Sequence, residues 1–229
     1  MVSNPSHFKF QNHLYGFDYR NKPKSITMAT DTKKIISNLL SFYDFTDKTI
    51  ISVGAGGGQF IEYGRSAKRV YAVDNDKNAL AKLEENLQKA GLSEKFTLIH
   101  SEFEDIIQTA DVVLFEFCLH EMTDAKAAIN HALTLSPNIL ISDHWPTSEW
   151  AYVVDEREKA TASWNAIDTF KPQKVQQHDA VQIFADYEEL YQKVKGQGEA
   201  TIQLIEKYRN QTNIEIPMSY GFAMIPITM

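Results

Sequence analysis

One cysteine, Cys118, stands alone in the chain, which excludes an intramolecular disulfide and any zinc site built on several thiolates. It lies in the apolar run "VVLFEFCL", where a small buried hydrophobe is its ordinary role. No apolar run approaches the roughly 18 residues of a membrane-spanning helix. The opening stretch, "MVSNPSHFKFQNHLYGFDYR", lacks the apolar centre of an export signal, so a cytoplasmic location without membrane contact is expected. Positive charge is also short. Lys and Arg number 23 against 30 Asp and Glu, a net charge of -7, and such a surface repels phosphate backbones. A nucleic acid partner is therefore not expected. Repeats, low-complexity tracts and obvious interdomain linkers are absent too, and 229 residues suit one sizeable α/β domain.

What is present alternates. Residues 1–28 are aromatic and polar with weak periodicity, and "DTKKIISNLLSFYDF" (31–45) reads as an amphipathic helix capped by Asp31 or Thr32. The run "TIISVG" predicts a strand, and "GGQFIEYGRSA" a helix opening from glycines. "RVYAVD" (69–74) predicts the next strand, and "KNALAKLEENLQKAGL" a helix with Asp76 as cap and Gly91 as stop. "KFTLIHS" (95–101), "DVVLFEF" (111–117) and "NILISDH" (138–144) are further strands, with a helix over "DAKAAINHAL" before the last of them. Strands apolar throughout, alternating with helices, indicate a parallel sheet covered on both faces. After residue 145 the rhythm changes. "SEWAYVVDEREKATASWNA" (148–166) reads as one long helix and "DYEELYQKVKGQGE" as another. The stretch from Thr201 onward reads as two strands joined through Asn210-Gln211-Thr212-Asn213, a closing antiparallel hairpin with Pro217 at a bulge or edge. The chain divides into an N-terminal helical or lid segment (1–46), a core (47–144), a helical insertion (145–185), and a final helix with the hairpin (186–229).

The glycines at the first strand end carry the chemistry. In "TIISVGAGGGQF" the spacing is G-x-G-x-G over Gly54, Gly56 and Gly58, and a strand, a glycine turn and a helix make a nucleotide-binding corner. A dinucleotide fingerprint needs Gly or Ala at position 59, where Gln59 stands, and no Gly-Lys-Ser/Thr follows to make a phosphate loop. Asp74, 20 residues beyond Gly54 at the end of the second strand, is placed to accept hydrogen bonds from both hydroxyls of a ribose. Together they predict a nucleoside ligand without a pyrophosphate.

These segments resemble the class I S-adenosylmethionine-dependent methyltransferases over roughly residues 48–144. "IISVGAGGGQF" is similar to that family's first motif, "VYAVDND" to its second, "LIHSEFEDI" to its third and "DVVLFEFCLHEM" to its fourth. The resemblance implies a Rossmann-like, doubly wound, seven-stranded sheet, mostly parallel, with a closing antiparallel hairpin. It implies S-adenosyl-L-methionine as cofactor and S-adenosyl-L-homocysteine as product. The implied cofactor residues are Gly54, Ala55, Gly56, Gly58, Asp74, Asn75, Glu102 at the adenine amino group, Phe103 beside the ring, Glu116 and Phe117 beneath the methionine part, and Tyr19 from the N-terminal segment. Ser52 departs from the pattern, since many members carry an acidic residue there.

Methyl transfer from a sulfonium is an in-line displacement, so alignment and desolvation do most of the work, and a base is needed only for a protonated acceptor. His120 in "CLHEM" and His144 in "SDHWP" follow strands at the ligand-binding edge and are the candidate bases. Trp145, Trp150 and Tyr152, next to His144, and Tyr15 from the N-terminal segment are candidate acceptor contacts, because aromatic walls suit a flat or apolar acceptor and a cationic sulfonium. Glu116, His120, Glu121, Asp143 and His144 offer oxygen and nitrogen ligands near two strand ends, but no tight motif such as H-x-x-x-H is present, and no metal is expected. A small-molecule acceptor is the expected partner. The competing readings are a protein or RNA methyltransferase, and a non-catalytic nucleoside-binding module.

Overall fold

The computed structural model describes residues 32–226. The candidates Tyr15 and Tyr19 and the cap Asp31 lie outside the described residues. The first element, α1 (Thr32–Phe42), buries Ile35, Leu39 and Phe42, the three-to-four-residue stripe that its sequence spells out.

Strands β1 (Thr49–Val53), β2 (Arg69–Asp74), β3 (Phe96–His100), β4 (Val112–Glu116) and β5 (Asn138–His144) are parallel. Helices α2 (Lys77–Ala90) and α3 (Ala125–Leu135) run between them. β4 is buried along its whole length, as its unbroken apolar composition requires of a strand covered on both faces. Both helices start where the sequence provides a cap. Asp76 accepts from the Asn78 N–H and Asp124 from the Ala127 N–H, and α2 stops at Gly91, whose φ of 68° is left-handed.

Beyond β5 come α4 (Glu149–Val153), α5 (Arg157–Thr169), β6 (Lys174–Asp186), α6 (Tyr187–Val194), α7 (Glu199–Ile205) and β7 (Thr212–Pro226). The seven strands lie in the order β3-β2-β1-β4-β5-β7-β6, with β7 antiparallel to both neighbours. The expected sheet, mostly parallel with an antiparallel closing pair, is the one formed.

Three expectations need correction. The glycine turn does not open an α-helix: one 3-10 stretch, Ile61–Arg65, follows it. The helix expected over 148–166 is broken into α4 and α5 at Val154 and Asp155, where Asp155 adopts a φ of 61°. The closing pair begins earlier in the chain than expected. Its first strand is β6, inside the segment expected to be helical, whereas Glu199–Ile205 is helix α7. Alternation in "KVQQHDAVQIFAD" is the strand signal, with Ala180, Gln182 and Phe184 buried and the residues between them more exposed.

The register gives β6 and β7 their purpose. β5 ends with His144 opposite Tyr220, while β7 continues outward from Ser219 to Thr212, paired only with β6. The two strands thus stand as a ribbon above the C-terminal edge of the parallel sheet. Pro217 lies in that outer part, where β7 has a strand on one side only, so its missing N–H costs no ladder bond.

Candidate functional site

At the end of β1 the chain turns through Gly54, Gly56 and Gly58, with φ of 67°, 51° and 76°. A Cβ on Gly54 would lie 2.5 Å from the Cβ of Cys118, and one on Gly58 would lie 2.5 Å from Leu83 Cδ1. Two of the three glycines are thus demanded by the protein's own packing as well as by the turn. The amides of the turn are also consumed internally. Gly54 and Ala55 donate to the Val73 carbonyl, Gly58 to the Ala55 carbonyl, and Gly56 to the Asp74 carboxylate at 2.8 Å. A turn that spends these N–H groups on itself has few left for a pyrophosphate, in agreement with the absence of a dinucleotide fingerprint. The side chain of Ala55 packs with Leu80 and Leu83.

Beside the turn lies a small, half-open cleft, lined by Val53, Gly54, Asp74, Asn75, Glu102 and Phe103 among others. Asp74 is held at its rim by N–H groups of Gly56 and Asp76, one on each carboxylate oxygen. Burial raises its carboxyl above the ordinary range, and the two donated N–H groups oppose that rise. Asn75 donates to both oxygens of the exposed Glu102, joining the two strand ends across the cleft. Phe103 is buried, edge-on to Phe115 and His131, so it forms the floor of the cleft. Gly54, Asp74, Asn75, Glu102 and Phe103, scattered over 50 residues of sequence, are gathered around one cavity. Ala55, Gly56, Gly58, Glu116 and Phe117 stand next to it and do not line it.

Glu116, at the end of β4, is buried under two hydroxyls. Ser52 Oγ and Tyr63 Oη both donate to its Oε1, the latter at 2.5 Å. Burial pushes its carboxyl up to about 7, and the two hydroxyl donors hold it from going higher. The carboxylate beside Ser52 thus comes from the neighbouring strand β4, and Ser52 donates to it. Tyr63, which the sequence did not single out, is buried by the same contact.

Phe117 follows with a φ of 52°, unusual for an aromatic residue. Its ring stacks on Phe60 with centroids 5.5 Å apart, and lies 5.2 Å from the His144 ring. The two candidate histidines adjoin each other, ring centroids 5.4 Å apart, and both side chains are buried. His120 Nδ1 is 2.5 Å from Asp143 Oδ1. Burial disfavours charge on His120, but the Asp143 carboxylate and then Glu156 outweigh it and raise the imidazole well above its usual value. His144 goes the other way. Burial, and then the neighbouring His120 charge, lower it to about 4, so it is neutral at pH 7. The surroundings thus push the two rings in opposite directions. Glu121, close by, is raised to about 7 by burial.

The acceptor candidates separate. Trp145 packs against Trp164 at 4.4 Å between centroids, and Tyr152 is exposed beneath the Arg157 guanidinium. Trp150 is a core residue: it is buried and stacked on Phe184 of β6, joining α4 to the ribbon. Two further residues of the region had no sequence signal. Glu156 occupies the N-cap position of α5 but makes no cap bond; its carboxylate faces His120 instead. Lys193 on α6 has its ammonium lowered to about 7 by burial, against the pull of Glu156.

Residues 51–135 match the family described as a methyltransferase domain. No curated protein sequence matches the chain. Among solved structures, a candidate methyltransferase of Bacillus halodurans C-125 superposes with a TM-score of 0.64 at 12% identity, covering 86% of this chain and 100% of that one. A SAM-dependent methyltransferase of Aquifex aeolicus gives 0.52 at 16% identity, covering 86% and 90%. A SAM-dependent O-methyltransferase of Thermotoga maritima gives 0.55 at 13% identity, covering 86% and 66%. Identities this low speak for the fold alone. Residues 51–135, less than half of the chain, are thus similar to a methyltransferase domain, and the sheet order is the one expected of the class I S-adenosylmethionine-dependent methyltransferases. The cofactor implied by that family is S-adenosylmethionine.

Proposed function

We propose that the protein methylates a small-molecule acceptor, with S-adenosylmethionine seated in the cleft between the glycine turn, Asp74 and Glu102. The observation that carries the cofactor half of this reading is the joint placement of Gly54, Asp74, Asn75, Glu102 and Phe103 around one cavity. Asp74 would hold the ribose hydroxyls, Glu102 and Asn75 the edge of the adenine, and Phe103 the underside of its ring. Glu116, with a carboxyl near 7, is suited to face the cationic part of the cofactor, whose charge would favour ionisation. When bound, the cofactor supplies an electrophilic methyl on a positively charged sulfur, open to in-line attack.

The small-molecule half rests on what surrounds the acceptor side. His120 and His144 are buried, and the ribbon of β6 and β7, with α4 packed on it through Trp150, rises past the edge where an acceptor would enter. Walls of this kind exclude water and orient a ligand, which is the protein's main task in such a displacement. A crystal structure with S-adenosylhomocysteine tests the reading. An enclosed cavity beside the sulfur, walled by His144 and Trp145, supports it. An open trench reaching the surface would favour a macromolecular substrate.

A further inference from the structure

We propose that His120, His144 and Glu156 form a binding site for a divalent first-row transition ion, placed between the ends of β4 and β5. One ligand atom from each of the three lies within 4.8 Å of the others. The geometry has the hallmarks of a built site. Nδ1 of His120 is engaged by Asp143, which orients the ring and leaves Nε2 as the outward nitrogen. Among the described residues Nε2 makes no hydrogen bond, although it is buried with Glu156 Oε2 at 3.5 Å and Glu121 Oε1 at 3.8 Å. Those separations exceed a hydrogen bond. They fit two ligands of one ion, since atoms each about 2.1 Å from a tetrahedral metal stand roughly 3.4 Å apart. His144 is the decisive residue: its ring is fully buried and, among the described residues, neither of its nitrogens has a hydrogen-bond partner. A protonated His120 between Asp143 and Glu156 would account for the carboxylates, but it leaves His144 unexplained. An ion accounts for both rings.

The supporting shell is equally complete. Asp143 also accepts from the backbone N–H groups of His120 and His144 and from Ser163 Oγ, while Trp164 Nε1 donates to the His144 carbonyl at 2.7 Å. A carboxylate bonded to the far nitrogen of a histidine is the arrangement that fixes the tautomer of metal-binding imidazoles. Two imidazoles and one carboxylate suit zinc, cobalt, ferrous iron or manganese, and not calcium or magnesium, which prefer all-oxygen sets. Glu121 stands ready as a further ligand. The break between α4 and α5 gains a purpose here, because it delivers Glu156 to His120. If the methyl-transfer reading holds, the ion faces the acceptor and favours one with a hydroxyl, thiol or amine. Its X–H proton would pass to water, the heteroatom pair would form the bond to methyl, and the S–CH3 pair would return to sulfur.

The test is cobalt binding by the full chain after chelator treatment, followed by visible absorption, with zinc competition by calorimetry. One equivalent of Co2+ giving d–d bands, displaced by Zn2+, is expected. Glu156→Gln and His144→Ala should each weaken binding at least a hundredfold. Binding of S-adenosylhomocysteine by the same variants serves as the folding control, and Glu156→Gln, which touches a partly accessible side chain, decides if His144→Ala does not fold. Absence of saturable Co2+ and Zn2+ binding, or equal binding in the folded variants, overturns the site. Failure of the wild type to bind S-adenosylhomocysteine while metal binding holds would remove the methyl-transfer reading and leave this site standing.

Discussion

Asp74 and Glu116, at the ends of the two strands that flank β1, show how two carboxylates are set to different tasks by their donors. Asp74 is pinned by two backbone N–H groups and faces the cleft. Asp74→Asn keeps the shape but removes the charge and one acceptor, so S-adenosylmethionine should bind roughly a hundredfold more weakly, about 2–3 kcal/mol. Unchanged affinity in titration calorimetry would place the ribose elsewhere. Glu116 supplies a pH signature. Its folded carboxyl sits at about 7 against an unfolded value near 4.5, so the native state keeps a proton that the unfolded chain releases. Its contribution is complete below pH 4.5 and declines by on the order of 3 kcal/mol as the pH climbs to about 7, then levels off. Urea unfolding of Glu116→Gln should lack that part of the slope; identical slopes in both proteins would show that Glu116 is ionised throughout. Of these residues, Asp74 was readable because its distance from Gly54 is fixed by a strand-turn-helix-strand unit. Tyr63 and Glu156 were not, because their meaning comes from contacts across 53 and 36 residues, to Glu116 and His120.

At the scale of elements, the parallel strands and the helices between them were legible because each carries its own local signal: unbroken apolar runs, and for α2 Asp76 as cap and Gly91 as stop. The segment after β5 was not. Trp150, Val153, Val154, Ala160 and Trp164 are buried at helical spacing, but Asp155 breaks the helix among them through a left-handed φ that no local residue announces. β6 has a polar face toward solvent and only alternate buried residues, a weaker mark than a continuous apolar run. The glycine turn illustrates the opposite case, a strong local signal with more than one cause. Because Cys118 occupies the space a Cβ on Gly54 would need, Gly54→Ala should destabilise the ligand-free protein by about 2–4 kcal/mol. Thermal unfolding without cofactor measures it. A normal melting temperature with impaired cofactor binding would mean that the glycine serves the ligand alone.

For the molecule as a whole, the core that would bind cofactor and the part that would meet the acceptor are built differently. The first is the parallel half of the sheet, with its cleft at the C-terminal edge. The second is the β6–β7 ribbon with α4, α5 and α6 beside it, rising past that edge. Access to an acceptor site behind such walls requires them to yield, so addition of S-adenosylhomocysteine should slow hydrogen exchange in residues 145–186 as well as around Gly54 to Gly58 and Asp74. Protection restricted to the turn and Asp74 would make the ribbon a fixed scaffold and leave the acceptor face open. The whole account depends on a nucleoside with no pyrophosphate occupying the cleft, and calorimetry with S-adenosylmethionine and NADH on the wild-type chain tests this most directly. One equivalent of S-adenosylmethionine should bind, with NADH weaker by orders of magnitude because the turn's amides are already engaged by Val73, Asp74 and Ala55. Tighter binding of NADH would contradict the account.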